Sequence, residues 1–189
     1  AGADALLMVT PYYNKATQAG LIKHYTYVAD RVHTPIILYN VPSRTGCSFN
    51  AATYQQLAKH PNIVGVKEAS GNFGLITETR KLCGDDFYIW SGNDDQVVPM
   101  MSLGAKGVIS VVSNILPELM VKMSHLCLEG NFAEAAKIQI DSIDLCNALF
   151  MEVNPIPVKA AMDMMGLCSG NLAADMLELL QGRGPAQGA

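Results

Sequence analysis

The sequence predicts an α/β chain that forms part of a (β/α)8 TIM barrel, and three observations predict it. Short apolar runs alternate with longer amphipathic stretches over the first 115 residues. Polar and reactive side chains gather at the C-terminal ends of successive runs, where barrels build their sites. No glycine-rich phosphate loop follows the first run, as a doubly wound sheet would require.

The runs are ALLMVT (5–10), PIILYNV (35–41), IVGVKEA (63–69), FYIWSG (87–92) and GVISVVS (107–113), starting 30, 28, 24 and 20 residues apart. Each gap holds one helix, so the strands run parallel and are covered on both faces. The gaps fit helices at about 17–32, 50–59, 73–83 and 94–103, with Asn50 and Asn93 as N-caps. Pro99 shortens or kinks the fourth helix. Beyond the fifth run, 117–129, 131–151 and 155–166 read as three helices with no strand between them. Gly130-Asn131 marks one break; at the other, Asn154 is the cap and Pro155 opens the helix. The expected organisation is a partial barrel over 1–115, C-terminal helices over 116–168 and a weakly ordered tail over 169–189. A complete barrel takes about 250 residues. This chain offers about five βα units, read as strands 4–8, with three N-terminal units missing.

Composition excludes several classes. The 189 residues are 50% hydrophobic and carry a net charge of −4, with only four arginines (Arg31, Arg44, Arg80, Arg183). No basic stripe offers itself to nucleic acid, and no apolar run approaches the roughly 18 residues of a membrane span. The N-terminus lacks the positive region of a signal peptide. Five scattered cysteines without a CxxC spacing read as buried free thiols in a reducing cytoplasm. The four histidines show no metal-ligand spacing.

Lys67, in IVGVKEAS, is the most informative residue. An ammonium at the end of an apolar strand is costly unless paired or neutral. Strand alternation points Glu68 to the opposite face, so it is a poor partner. A neutral amine there forms a Schiff base with a carbonyl substrate. Tyr39 ends the preceding strand, and adjacent barrel strands bring it to the same rim. Amine and phenol together supply the proton transfers that turn a carbinolamine into an imine. Arg44, in the loop after Tyr39, can grip a carboxylate through two hydrogen bonds. Asp94 and Asp95 read as helix-dipole caps, not metal ligands. Trp90 and the methionines read as packing.

YNVPSRTG, GVKEASG, SGNDD and GVISV, in this order and preceded by TPYYNK, resemble the dihydrodipicolinate synthase family over residues 1 to about 168. That resemblance implies a lysine-dependent, aldolase-type barrel that condenses pyruvate with aspartate semialdehyde in lysine and diaminopimelate biosynthesis, with no cofactor and no metal. It makes Lys67 the Schiff-base lysine and Tyr39 the central proton-relay tyrosine. It makes Tyr13 a tyrosine reaching across a dimer into the neighbouring site, with Tyr12 at that interface. Arg44 binds the second substrate's carboxylate, and the backbones of Gly92 and Ile109 line the pyruvate pocket. A homodimer or homotetramer is implied for the full-length protein. The family's glycine-threonine-threonine-glutamate segment has no counterpart here, and the tail after 168 departs from the usual closing segment. The alternatives are an N-acetylneuraminate lyase or keto-deoxy-sugar aldolase of the same superfamily, or a truncated, non-catalytic fragment. The arginine of VPSRTG favours the carboxylate-bearing aldehyde.

Overall fold

The computed structural model describes residues 2–168, so the expected tail lies outside the described residues. Four strands form the sheet: β1 Leu6–Val9, β2 Ile36–Asn40, β3 Ile63–Glu68 and β4 Tyr88–Ser91. All neighbours are parallel, and the spatial order follows the sequence order. That order decides between the two architectures. A doubly wound sheet reverses direction at a switch point and places helices on both faces. Here every crossover steps the same way, and with the right-handed connection that parallel strands favour this stacks the helices on one side, as in a barrel wall.

The fifth expected strand is reduced to one parallel bridge, Ser91 with Val108. The cause lies in Asp94. Its Oδ2 accepts the backbone N–H groups of Val111 and Val112, at 2.9 and 3.0 Å, and draws the chain into a 3₁₀ turn at Val112–Asn114. Residues 110–113 therefore leave the ladder. The expected five βα units become four strands and a bridge.

The helices are α1 Gln18–Ala29, α2 Pro42–Thr45, α3 Ala51–Leu57, α4 Phe73–Cys83 and α5 Val97–Ser102. Asn50 caps α3 as expected, accepting Thr53 N–H at 2.8 Å. Asn93 makes no cap bond; its side chain donates to Gln96 instead, and a 3₁₀ turn (Asp94–Gln96) precedes a short α5. Thr17 and Asn72 cap α1 and α4. The helix-facing side of the sheet holds the core: Ile36, Leu38, Val66 and Ile89 pack against Leu21, Tyr25, Tyr54, Leu57 and Ile76. Tyr25, Phe49, Tyr54 and Phe87 form a chain of rings with centroids 5.5, 4.8 and 6.0 Å apart.

The opposite face is open. Leu7, Val9 and Tyr88 are 45%, 38% and 42% exposed. The reading of strands covered on both faces is thus corrected: these residues cover one face only. Position 65, on the same side of β3 as Lys67, takes glycine because a Cβ there would stand 2.1 Å from the Tyr88 carbonyl oxygen and 2.9 Å from the Trp90 ring.

The C-terminal helices are α6 Pro117–Leu128, α7 Phe132–Asp141, α8 Ile143–Ala148 and α9 Ile156–Met164. The single expected helix over 131–151 breaks at Ser142, whose hydroxyl donates back to the Gln139 carbonyl and bends the chain. Gln139 ties this layer to α5 and the turn before it: it accepts Val98 N–H at 3.1 Å and donates to the Asp94 carbonyl at 2.7 Å. Pro155 is the cap residue of α9 and not its first helical residue. All five cysteines are free, with Cys47, Cys127 and Cys146 buried and Cys83 and Cys168 half-buried. Among the described residues, no helix is long and apolar enough to cross a membrane.

The two faces of the sheet predict different mutational costs. Leu38→Ala, on the packed face, is expected to lose about 2–5 kcal/mol. Leu7→Ala, on the open face, is expected to change stability by about 0.5 kcal/mol or less. Urea denaturation of both variants measures the difference.

Candidate active site

Alternation along β2 and β3 decides what reaches the open face. Tyr39 and Lys67 are direct partners in the register, as are Asn40 and Glu68. Tyr39 and Lys67 point to the open face; Asn40 and Glu68 point to the helices, as strand geometry predicts. The Lys67 ammonium lies over the Tyr39 ring, 4.4 Å from its centroid. The sequence-predicted pair therefore meets, but as a cation over an aromatic face and not as an amine on the phenol oxygen.

Gly92 makes room for the lysine. A Cβ at Gly92 would stand 3.2 Å from Lys67 Cε and 2.6 Å from the Ala69 Cβ. Burial holds the Lys67 amine below the usual lysine value, and the Asp94 carboxylate opposes that shift. Burial also raises the Tyr39 phenol above its usual value, opposed by the Arg44 guanidinium. Both groups are thus biased toward their neutral forms, amine and phenol.

Arg44 lies on α2, exposed, its guanidinium donating to the Asn154 carbonyl at 3.5 Å. It shares an open groove of about 490 Å³ with Leu7, Val9, Tyr12, Tyr39, Val41 and Thr45. Ile109 is held beside the rim by its N–H bond to the Ser91 carbonyl, at 2.9 Å. Tyr13 stands on the β1–α1 turn, 90% exposed. Trp90 is next to Lys67 in the register and packs over Gly65 and Tyr88, as expected of a packing residue.

Three buried residues make contacts that the sequence reading did not assign to them. Asp94 caps the Val112–Asn114 turn, contributed by a different segment, and not the start of its own helix. Glu68 and Asn40 bond to each other behind the Tyr39–Lys67 pair. Their places on the helix-facing side follow from alternation, but their mutual bond is tertiary. Among the described residues, no group of three or more histidines, cysteines and carboxylates is placed to hold a metal.

The family model for the dihydrodipicolinate synthetase family matches residues 1–181. The chain belongs to that family. The match runs past residue 168, so part of the tail read as divergent falls within it. A 4-hydroxy-tetrahydrodipicolinate synthase of a Thermoanaerobacter species is 51% identical over 95% of this chain and 61% of its own length. The enzyme of that name from Clostridium novyi is 47% identical over 94% of this chain and 60% of its own. Among solved structures, dihydrodipicolinate synthase from Aquifex aeolicus matches with a TM-score of 0.87 at 46% identity, over 89% of this chain and 58% of that one. The Thermotoga maritima enzyme matches with a TM-score of 0.88 at 43% identity, over 90% and 59%. This chain therefore spans about three-fifths of the curated relatives it matches.

The lowered Lys67 value has a consequence for stability. A lysine protonated less readily when folded destabilises the fold while it is charged. That penalty applies below its folded value and is relieved as pH rises toward the ordinary lysine value. Lys67→Met is therefore expected to raise stability at neutral pH and to flatten the alkaline rise. Denaturation midpoints followed from pH 7 upward, as buffer conditions selected for the measurement, check both effects.

Proposed function

We propose that Lys67 is the nucleophile of a class I, Schiff-base aldolase-type lyase. The reaction condenses pyruvate with aspartate semialdehyde, on the route to diaminopimelate and lysine. The observation that carries this reading is the Lys67–Tyr39 pair at the C-terminal rim of adjacent parallel strands. The relatives named 4-hydroxy-tetrahydrodipicolinate synthase support it. So does an Acinetobacter baumannii dihydrodipicolinate synthase, solved with pyruvate, which is 43% identical with a TM-score of 0.86.

The neutral Lys67 amine adds to the pyruvate ketone. Tyr39, whose phenol stays protonated, donates toward the departing carbinolamine oxygen and recovers the proton from nitrogen as water leaves. Loss of a methyl proton from the imine gives an enamine, whose carbon attacks the aldehyde. The product's own amine then displaces Lys67 and closes the ring. Arg44, exposed beside Tyr39 in the same groove, binds the aldehyde substrate's carboxylate. Gly92 and Ile109 border the pyruvate pocket. The chemistry draws on the amine and phenol alone, with no cofactor or metal. Tyr13, free of its own chain's pocket, is assigned to the site of a second subunit in a homodimer or homotetramer. A cytoplasmic setting fits the five free thiols.

A second reading is favoured by the open sheet face: these residues hold the nucleophile but do not enclose a substrate. Trapping with pyruvate and borohydride, read by peptide mass, separates the two. The expected result is a reduced adduct on Lys67, lost in Lys67→Ala. Tyr39→Phe is expected to slow trapping about 10²–10⁴-fold. A folded chain with no adduct supports the second reading; an adduct on another lysine overturns the first.

A further inference from the structure

We propose that Asn40 and Glu68 form a buried lock on the helix side of the sheet that positions the Tyr39–Lys67 pair and the Arg44 loop as one unit. Glu68 is 2% exposed. Its carboxylate accepts Asn40 Nδ2 at 3.0 and 3.1 Å, the Tyr54 hydroxyl at 2.8 Å and the Ser70 N–H at 2.8 Å. A buried charge survives only when so bonded. The donors come from three places: the end of β2, helix α3 and the loop leaving β3.

Asn40 extends the lock to the arginine. Its Nδ2 also donates to Ser48 Oγ at 3.2 Å, and its Oδ1 accepts the Phe49 N–H at 3.4 Å. The chain leaves Asn40, forms α2 with Arg44 on it, and returns to the same side chain at Ser48 and Phe49. Both ends of the Arg44 loop are thus fastened to one amide. The backbone completes the link, as Asn40 carbonyl accepts Ala69 N–H at 2.8 Å. Each lock residue directly follows a site residue in its strand. Setting Asn40 against Glu68 behind the sheet therefore sets Tyr39 against Lys67 in front of it. An apolar pair would fill the same space but would hold no direction.

The groups that face Lys67 are Tyr39 from β2, Trp90 from β4 and Asp94 beyond β4, with Arg44 acting on Tyr39. Substitutions at 40, 54 and 68 remove none of these groups. The proposal rests on Lys67 as the nucleophile, but its test uses no substrate, so the two readings fail separately.

The test compares Asn40→Ala, Glu68→Gln and Tyr54→Phe with Met123→Ala, a fully buried site in α6 away from the sheet's rim. Reductive methylation of Lys67 is followed against pH by peptide mass, beside a thermal melt. The lock variants are expected to move the Lys67 midpoint up toward the ordinary lysine value, as the amine gains water. They are also expected to speed tryptic cleavage after Arg44 several-fold. Met123→Ala is expected to lower the melting point and change neither. An unchanged midpoint and cleavage rate in folded lock variants, or equal changes in Met123→Ala, would overturn the proposal. If Asn40→Ala and Glu68→Gln do not fold, Tyr54→Phe, which removes one hydroxyl from the carboxylate, decides on the same readings.

Discussion

A carboxylate buried between a sheet and its helices must find donors, and the site at this rim depends on how Glu68 finds them. Four hydrogen bonds from Asn40, Tyr54 and Ser70 surround it. The contact with Tyr54 also pushes that phenol well above its usual value, after burial itself. Removing one donor from such a group leaves a charge partly unpaired, which costs more than the bond is worth when made. The ends of β2 and β3 are therefore held in register more firmly than ladder bonds alone would hold them. The residues that face the other way inherit that precision.

The two faces of the sheet answer to different physics. The packed face is a close-fitted core, in which aromatic rings run from α1 to β4. The open face carries Leu7, Val9, Ile37, Tyr39, Lys67, Tyr88 and Trp90, and only part of it is shielded from water. Lys67 sits at the boundary between these environments. Partial burial lowers its proton affinity, and Asp94 restores some of it. Burial is the larger influence, so the amine is biased toward its neutral, nucleophilic form. Asp94 serves two segments at once: its carboxylate ends the ladder after Val108, and its carbonyl receives Gln139 from α7. The rim and the C-terminal helices thus share one anchoring residue.

Strands β1 to β4 were legible because apolar runs bounded by polar turns leave little choice of element. The pairing of Tyr39 with Lys67 was legible too, since both end consecutive parallel strands. The fifth strand was not, because GVISVVS reads apolar whether or not a distant carboxylate captures its amides. The bend at Ser142 was hidden for the same reason: the hydroxyl's return to Gln139 leaves the helical pattern intact. Asn93 read as a cap from its type alone, yet its backbone is held by Ser91, whose hydroxyl accepts Asn93 N–H and donates to its carbonyl. Local patterns name elements and faces; bonds between distant side chains lie beyond them.

The proposed attachment of the pyruvate ketone carbon to Lys67 is open to direct measurement. Carbon-13 NMR of pyruvate labelled at its ketone carbon, mixed with the folded chain, tests it without reduction or turnover. The expected result is a protein-bound imine or enamine resonance that disappears in Lys67→Ala and persists in Lys59→Ala. An unaltered ketone resonance, or an imine that survives the loss of Lys67, would contradict it.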